Sequence, residues 1–373
     1  MPMNEFFLVA LPGLEDVILN EVKDWFPELE ATAIHGGVTV KAPLKTGLAM
    51  NLCLKTPTRI LLRISTFRCR DFPKLFQSIA KTPWKTWLDL SCEMKVHAST
   101  RLSRLKIKAR IEETCMDGWL EYKEKNRKTT VRGKEQNLYV RFLNDECSLS
   151  LDTSGERLHK RGERQNIGTA PLRETIAAAM IQMAGRNDSD AKSVELIDPM
   201  MGSGTFLLEA AGRDQLVEKR EFAFDNFTEQ PEENLSLKAE RPKFSKLIGF
   251  EADKKTMQAA RANLDKGHVQ LPTELYAADF FKADPLPAAE SRRWLLVNPP
   301  YGERIKVKEP LKEYYEELFL ACERVAKPDL AYFLLPSKVV KGKFNLPLQW
   351  KVIEKRPFVN GGIPVVAFGF GRK

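Results

Sequence analysis

No two of the six cysteines form a C-x-x-C pair; they fall singly at 53, 69, 92, 115, 147 and 322, and the four histidines are as dispersed. That spacing argues against a zinc-ligand pattern and a disulfide framework, so no metal is expected and a reducing cytoplasm is. No stretch reaches the run of about 18 apolar residues that a membrane span needs, so no membrane partner is expected. The opening "MPMNEFFLVALPGLEDV" has no basic segment ahead of its apolar residues and carries acids early, which does not read as a secretory leader. Apolar material, by contrast, is ample: 43% of 373 residues, enough for the cores of two or three domains.

Acidic side chains are scarce in one region only. Residues 51–141 hold 9 Asp/Glu against 21 Lys/Arg, a net of +12, whereas residues 1–50 carry −4 and residues 166–373 only +2. The tract "RLSRLKIKAR" (101–110) places a cation at nearly every second residue, among them Arg101, Arg104, Lys106 and Lys108. A phosphate backbone is the partner such a surface suits, and those four are the candidate nucleic-acid contacts. A solvated basic face gives the same charge count, so the tract alone does not decide between them.

Along the chain, "EFFLVALPGLEDVILNEVKDWFP" reads as strand, Pro-Gly turn and helix, followed by the strand "GGVTVKAP", a second helix and the strand "RILLRISTFRCR". This β-α-β-α-β order predicts a small α+β unit over 1–65. Residues 66–165 predict a second α/β unit, ending in a hairpin of two alternating runs around Asn144-Asp145. From 166 to 373, strands alternate with helices, which predicts a mostly parallel sheet covered on both faces and closed by a C-terminal hairpin. Residues 213–246, charged and Pro-containing, read as an insertion in that pattern.

The third unit carries the chemistry. "DPMMGSGTF" (198–206) follows a buried strand and opens a helix. Gly202 and Gly204 let the backbone approach a ligand, and the helix N-terminus offers free N–H groups. Lacking the Lys-Ser/Thr pair, it is not a phosphate loop, and it departs from G-x-G-x-x-G at Phe206-Leu207. The next strand ends in Glu251, placed to hold a ribose diol, while Asp253 stands where the following helix needs its N-cap. The third strand ends "AADFF", where Asp279 is placed for an adenine amino group and Phe280 for its face; any one of these acids alone reads sooner as a helix cap or solvated strand end, and the case rests on their occurring in order. A fourth strand runs "LLVNPPYGER" (295–304), where two prolines stop the ladder and leave an amide and an aromatic ring at the strand's tip.

The ordered set "DPMMGSGTFLLEA", "GFEAD", "AADFF" and "NPPYGER" resembles the class I S-adenosylmethionine-dependent methyltransferases that modify exocyclic amino groups. "SGERLHKRGERQNIGTAPLRETIAAAMI" resembles the junction in THUMP-domain RNA methyltransferases, and "LVALPGLEDVILNEV" resembles the opening of the bacterial branch that methylates the guanine 2-amino group of large-subunit (23S) ribosomal RNA. The likeness covers nearly the whole chain and is weakest in 60–140 and 213–246; Met201 stands where the family usually has a small residue or Cys. It implies a ferredoxin-like segment (1–65), a THUMP RNA-binding domain (66–165) and a Rossmann-like methyltransferase domain (166–373). It also implies S-adenosyl-L-methionine as cofactor, held by Pro171, Asp198, Gly202, Ser203, Gly204, Glu251, Asp279 and Phe280, and RNA, ribosomal rather than transfer, as partner.

Catalysis then falls to Asn298, Pro299, Pro300 and Tyr301. An aromatic amine is a poor nucleophile because its lone pair is delocalised into the ring. The Asn298 side-chain oxygen and the Pro299 carbonyl can accept both amine protons and localise that pair, the prolines fix the carbonyl's direction, and Tyr301 stacks on an extruded base. Three other readings stay open: a transfer-RNA substrate, a DNA adenine amino-methyltransferase, and a non-catalytic RNA-binding assembly protein that keeps the fold.

Overall fold

The computed structural model describes residues 2–126, 133–161, 172–217, 220–302, 310–342 and 344–373. Its N-terminal half is built on β1 (Met3–Val9), α1 (Glu15–Trp25), β2 (Glu30–Ile34), β3 (Gly37–Pro43), α2 (Leu44–Cys53) and β4 (Arg59–Arg68). These strands lie in the order β2-β3-β1-β4, every neighbour antiparallel. The order is that of a ferredoxin-like unit, with one strand more than the sequence pattern suggested. The extra strand is β2, "EATAI": five residues on a sheet edge with no fully buried position, so it leaves no apolar alternation to read.

The chain continues through α3 (Phe72–Lys81), β5 (Glu93–Arg101), α4 (Lys108–Asn126), β6 (Glu135–Leu143) and β7 (Glu146–Asp152). Asn144 and Asp145 turn the β6–β7 hairpin at φ of 51° and 64°, as a two-residue loop with both centres left-handed requires. β7 then pairs with β4 from Leu61↔Asp152 to Arg68↔Glu146. This joins both units into one seven-stranded sheet, β2-β3-β1-β4-β7-β6-β5, so the boundary expected at 65/66 falls inside β4.

The second sheet follows α5 (Glu174–Asn187) and contains β8 (Ser193–Asp198), β9 (Lys243–Phe250), β10 (Thr273–Tyr276), β11 (Arg292–Val297) and β12 (Leu330–Pro336), with α6 (Thr205–Ala211), α7 (Lys254–Lys266) and α8 (Leu311–Val325) between them. A hairpin of β13 (Trp350–Asn360) and β14 (Ile363–Arg372) closes it in the order β10-β9-β8-β11-β12-β14-β13. Among these strands β14 alone runs opposite to the other six. Alternate residues of the central strands feed two cores: Leu196, Trp294 and Leu296 face α5, α6 and α7, while Ile197, Leu295 and Val297 face α8. The strand order reverses between β8 and β11, and a crevice opens at the carboxyl ends there.

The insertion does not hang free. Val217, Phe222, Phe224 and Phe227 are buried in the core of the first sheet. Asp24 of α1 accepts from Arg241 of the insertion and from Gln182 and Arg186 of α5, so three segments remote in sequence meet at one carboxylate.

Candidate active site

The crevice is a cavity of about 1170 Å³ lined by the tips of four parallel strands. Asp198 ends β8, Glu251 follows β9, Asp279 follows β10, and Asn298, Pro299, Pro300 and Tyr301 follow β11; all of them border the cavity. The structure thus gathers seven of the sequence candidates in one place, with Gly202, Ser203 and Phe280 beside them. Pro171 lies outside the described residues.

Gly204 stands apart from the other candidates. It takes φ of 85° just before α6, but a side chain there would point at Ala260 and Leu264 of α7, and it does not line the cavity. Gly202, at φ of 54°, is the open one: no atom lies within 4 Å of where its Cβ would stand. Of the two glycines, Gly202 has open space where a side chain would stand, while Gly204 backs onto α7 at ordinary contact distance. The departure at Met201 is accommodated locally, because its sulfur packs over Gly249 where a Cβ would collide with it.

Backbone hydrogen bonds fix the acids. Glu251 accepts the Gly202 N–H through one oxygen (3.1 Å) and the Asp253 N–H through the other (2.8 Å). Asp253 caps α7 by accepting from the Thr256 N–H at 2.8 Å, the role its position predicts. Asp279 caps a single 3-10 turn by accepting from Phe281 N–H at 3.1 Å, and Phe280 is buried edge-on against Phe250. Asp198 is buried and accepts the Met200 N–H at 3.1 Å.

Burial, set against that one N–H and reinforced by the charge of Glu251, pushes the Asp198 carboxyl up to about 8. The folded chain therefore holds a proton there that the unfolded chain releases near pH 4. Its stability falls as pH rises from about 4 towards about 8, where the loss is complete. Asp198→Asn removes the penalty. The variant is expected to melt with wild type at pH 4 and to gain on it steadily as pH rises to 8, because only the wild-type carboxyl holds a proton that the unfolded chain has released. Thermal melts across that range check it, and a gain that does not grow with pH would refute the account.

The NPPY segment is tied down from two sides. Tyr301 donates its hydroxyl to Asn298 Oδ1 at 2.8 Å and accepts from Asn360 Nδ2 at 3.5 Å, so the amide is held by the ring expected only to stack. Burial pushes the Tyr301 phenol well above its ordinary range, which keeps it a donor. Buried Tyr315 of α8 donates to the Pro300 carbonyl at 2.9 Å.

The sequence reading missed the wall opposite. Glu156, His159, Lys160 and Arg161 of the segment after β7, Arg220 of the insertion and Asn360 at the end of β13 also line the cavity. Arg220 donates to the carbonyls of Ser154, Glu156, Arg157 and Lys160, clamping that segment in place. His159, driven down to about 4 by burial and by the surrounding cations led by Arg173, is neutral. Glu156, His159, Lys160 and Arg161 fall in the junction segment "SGERLHKRGERQ", whose likeness holds for the segment as a whole and gives its residues no role, whereas Arg220 and Asn360 belong to no motif. Arg101, Arg104, Lys106 and Lys108 lie away from the cavity, exposed on or beside the loop between β5 and α4. Among the described residues, no three His, Cys, Asp or Glu gather as a metal site would, and no helix is long and apolar enough to cross a membrane.

Comparison with known proteins agrees with the fold. The family model described as RlmL ferredoxin-like domain matches residues 5–61. The "Ribosomal RNA large subunit methyltransferase K/L" of Syntrophotalea carbinolica is 27% identical over 334 residues, covering 84% of this chain and 46% of that protein. The chain thus spans about half the length of most of the curated relatives it matches. A Synechocystis relative named "Putative RNA methyltransferase" is 25% identical and is covered over 94% of its length, with 96% of this chain. The crystal structure of "a possible methylase" from Clostridium difficile 630 superposes with a TM-score of 0.82 at 23% identity, covering 100% of this chain and 99% of that one, which is a likeness of fold. The model described as UPF0020, RMKL-like, methyltransferase domain matches residues 161–364, more than half of the sequence and the whole of the cavity's strand-tip wall, and the chain belongs to that family.

Proposed function

We propose that this chain transfers a methyl group from S-adenosyl-L-methionine to the exocyclic 2-amino group of a guanosine in 23S ribosomal RNA, in the cytoplasm. The observation that carries the reading is Asn298-Pro299-Pro300-Tyr301 at the end of β11, facing the same cavity as Gly202 and Glu251. The name of the Syntrophotalea relative supports the ribosomal substrate, and the exposed cations 101–108 support an RNA partner.

The residues present fit that cofactor. Gly202 leaves its backbone open to a ligand, and Glu251 is held rigid by two N–H groups with lone pairs to spare for a ribose diol. Asp279 and Phe280 offer an acceptor and an aromatic wall for an adenine, while Asp198 and Ser203 line the cavity beside the turn, Asp198 accepting the Met200 N–H. Bound, the cofactor supplies an electrophilic methyl group on a sulfonium. Asn298 Oδ1 keeps one lone pair beyond the Tyr301 hydroxyl, and with the Pro299 carbonyl it accepts the two amine protons of the target base. Tyr301 offers its ring as the platform for that base. Acceleration comes from positioning, and the product cation loses its proton to water without a dedicated base.

Nucleoside mass spectrometry of separated RNAs from a strain lacking the chain tests the reading. Loss of one 2-methylguanosine from 23S RNA is expected; loss from the transfer-RNA fraction would move the substrate there, and unchanged nucleosides in both would refute the proposal. In titration calorimetry, Glu251→Ala is expected to weaken S-adenosyl-L-methionine binding by about 1.5–3 kcal/mol, the range for a hydrogen bond to a charged group. Asp253→Ala, which removes only the cap of α7, should leave affinity nearly unchanged. The larger loss at Asp253 would reverse the two assignments.

A further inference from the structure

Residues 102–107 join β5 to α4 and carry two strongly exposed apolar side chains, Leu102 at 74% and Ile107 at 62%. They alternate with Arg101, Arg104, Lys106 and Lys108, all exposed. A lone exposed leucine needs no explanation. This loop, however, is held in one shape. Leu105 is buried beneath it and its carbonyl accepts from Thr100 Oγ1 at 2.6 Å. Ser103 donates to the Arg101 carbonyl at 3.0 Å and accepts the Asp145 N–H at 2.9 Å. Asp145 in turn accepts the Arg104 N–H through one oxygen and Arg70 Nε through the other, each at 2.7 Å. Leu102 sits at φ of 51°, a backbone conformation that side chains other than glycine rarely adopt and that surrounding bonds must impose. Strand register brings Arg68 and Arg70 to the same end of the sheet, beside the Asn144-Asp145 turn.

We propose that this loop is a preformed reader of unpaired RNA bases: its cations hold flanking phosphates while Leu102 and Ile107 pack on the face of a base that is not stacked in a helix. The inference rests on the RNA reading above and adds what kind of RNA the surface takes. A-form duplex hides its base faces by stacking, and its deep groove excludes side chains. Apolar tips gain nothing from phosphates; they gain contact only where a base face is open, as in a loop, bulge or strand end. A surface built for phosphates alone has no use for a rigid loop that presents leucine and isoleucine between its cations.

The test uses the full chain, fluorescence anisotropy and two RNAs of equal length, a hairpin with an unpaired loop and a blunt duplex. Wild type is expected to favour the hairpin by about tenfold, the order that taking part of two apolar side chains out of water supplies. Leu102→Ser/Ile107→Ser should lose that preference while keeping wild-type duplex affinity and salt dependence, since both positions are exposed and no phosphate contact changes. A preference that survives in the double variant overturns the inference and leaves the RNA reading intact. Failure of wild type to bind either RNA at low salt overturns both. Binding to phosphatidylserine vesicles that the double variant loses, with the two RNAs bound alike, would overturn the inference by assigning the tips to a membrane surface.

Discussion

Asn298→Ala is expected to slow single-turnover methyl transfer by about 10²–10³, the effect of deleting one preorganised polar group from an active site. The amide borders the cavity at the tip of β11, and its oxygen is aimed by the Tyr301 hydroxyl at 2.8 Å. Removing it takes away an acceptor for the target amine and touches neither Glu251 nor Gly202, so cofactor affinity should be unchanged. Saturating RNA in the assay keeps a binding defect from passing as a chemical one. A normal single-turnover rate would reduce NPPY to the way this strand ends.

The hydrogen bond between Tyr301 and Asn298 extends this to the neighbouring position. Sequence gives Tyr301 a ring to stack with and no use for its hydroxyl. In the structure that hydroxyl fixes which way the amide faces, with Asn360 behind it. Tyr301→Phe therefore keeps the platform and loosens the acceptor. One neutral hydrogen bond is worth about 1 kcal/mol, so roughly a fivefold slowing is expected, well short of Asn298→Ala.

What sequence made legible was whatever a strand tip announces locally. Pro299-Pro300 ends a ladder wherever it occurs, and an acid after a buried apolar run marks a strand's carboxyl end; Asp198, Glu251, Asp279 and Asn298 stand at such ends and border one cavity. The wall facing them was not legible because its position is set by bonds across long stretches of chain. Arg220 holds carbonyls from Ser154 to Lys160, and nothing near residue 220 names those partners. The insertion misled for the same reason: charged overall, it buries Phe222, Phe224 and Phe227 in a core that the chain left about 70 residues earlier. Short range also explains β2, whose five residues acquire strand character only by pairing with β3. Gly204 shows the same limit at a motif position: its nearest neighbours, Ala260 and Leu264, come from the next helix and are not named by the motif.

Arg161→Ala is expected to destabilise the chain by about 3–5 kcal/mol, the cost of stranding one member of a buried ion pair. Both side chains are about nineteen-twentieths buried, and the contact with Glu209 is a fork: Nε to Oε1 at 2.7 Å and Nη2 to Oε2 at 2.9 Å. Nη2 also donates to the Lys55 carbonyl at 2.8 Å, and the neighbouring Lys55 and Thr56 N–H groups are anchored on Glu21 of α1. One guanidinium thus ties the first sheet's helices to α6, the helix that begins at the Gly202–Gly204 turn. With Arg161 gone, Glu209 is left buried without its charge partner. The pair itself need not be a net gain over apolar packing, because two desolvated charges repay little more than their hydration. Arg161→Met/Glu209→Leu should therefore recover most of what the single variant loses. Chemical denaturation of the three proteins separates the cases: recovery in the double variant assigns the loss to the stranded carboxylate, whereas a single-variant loss below about 1 kcal/mol would give this contact no more weight than a surface ion pair.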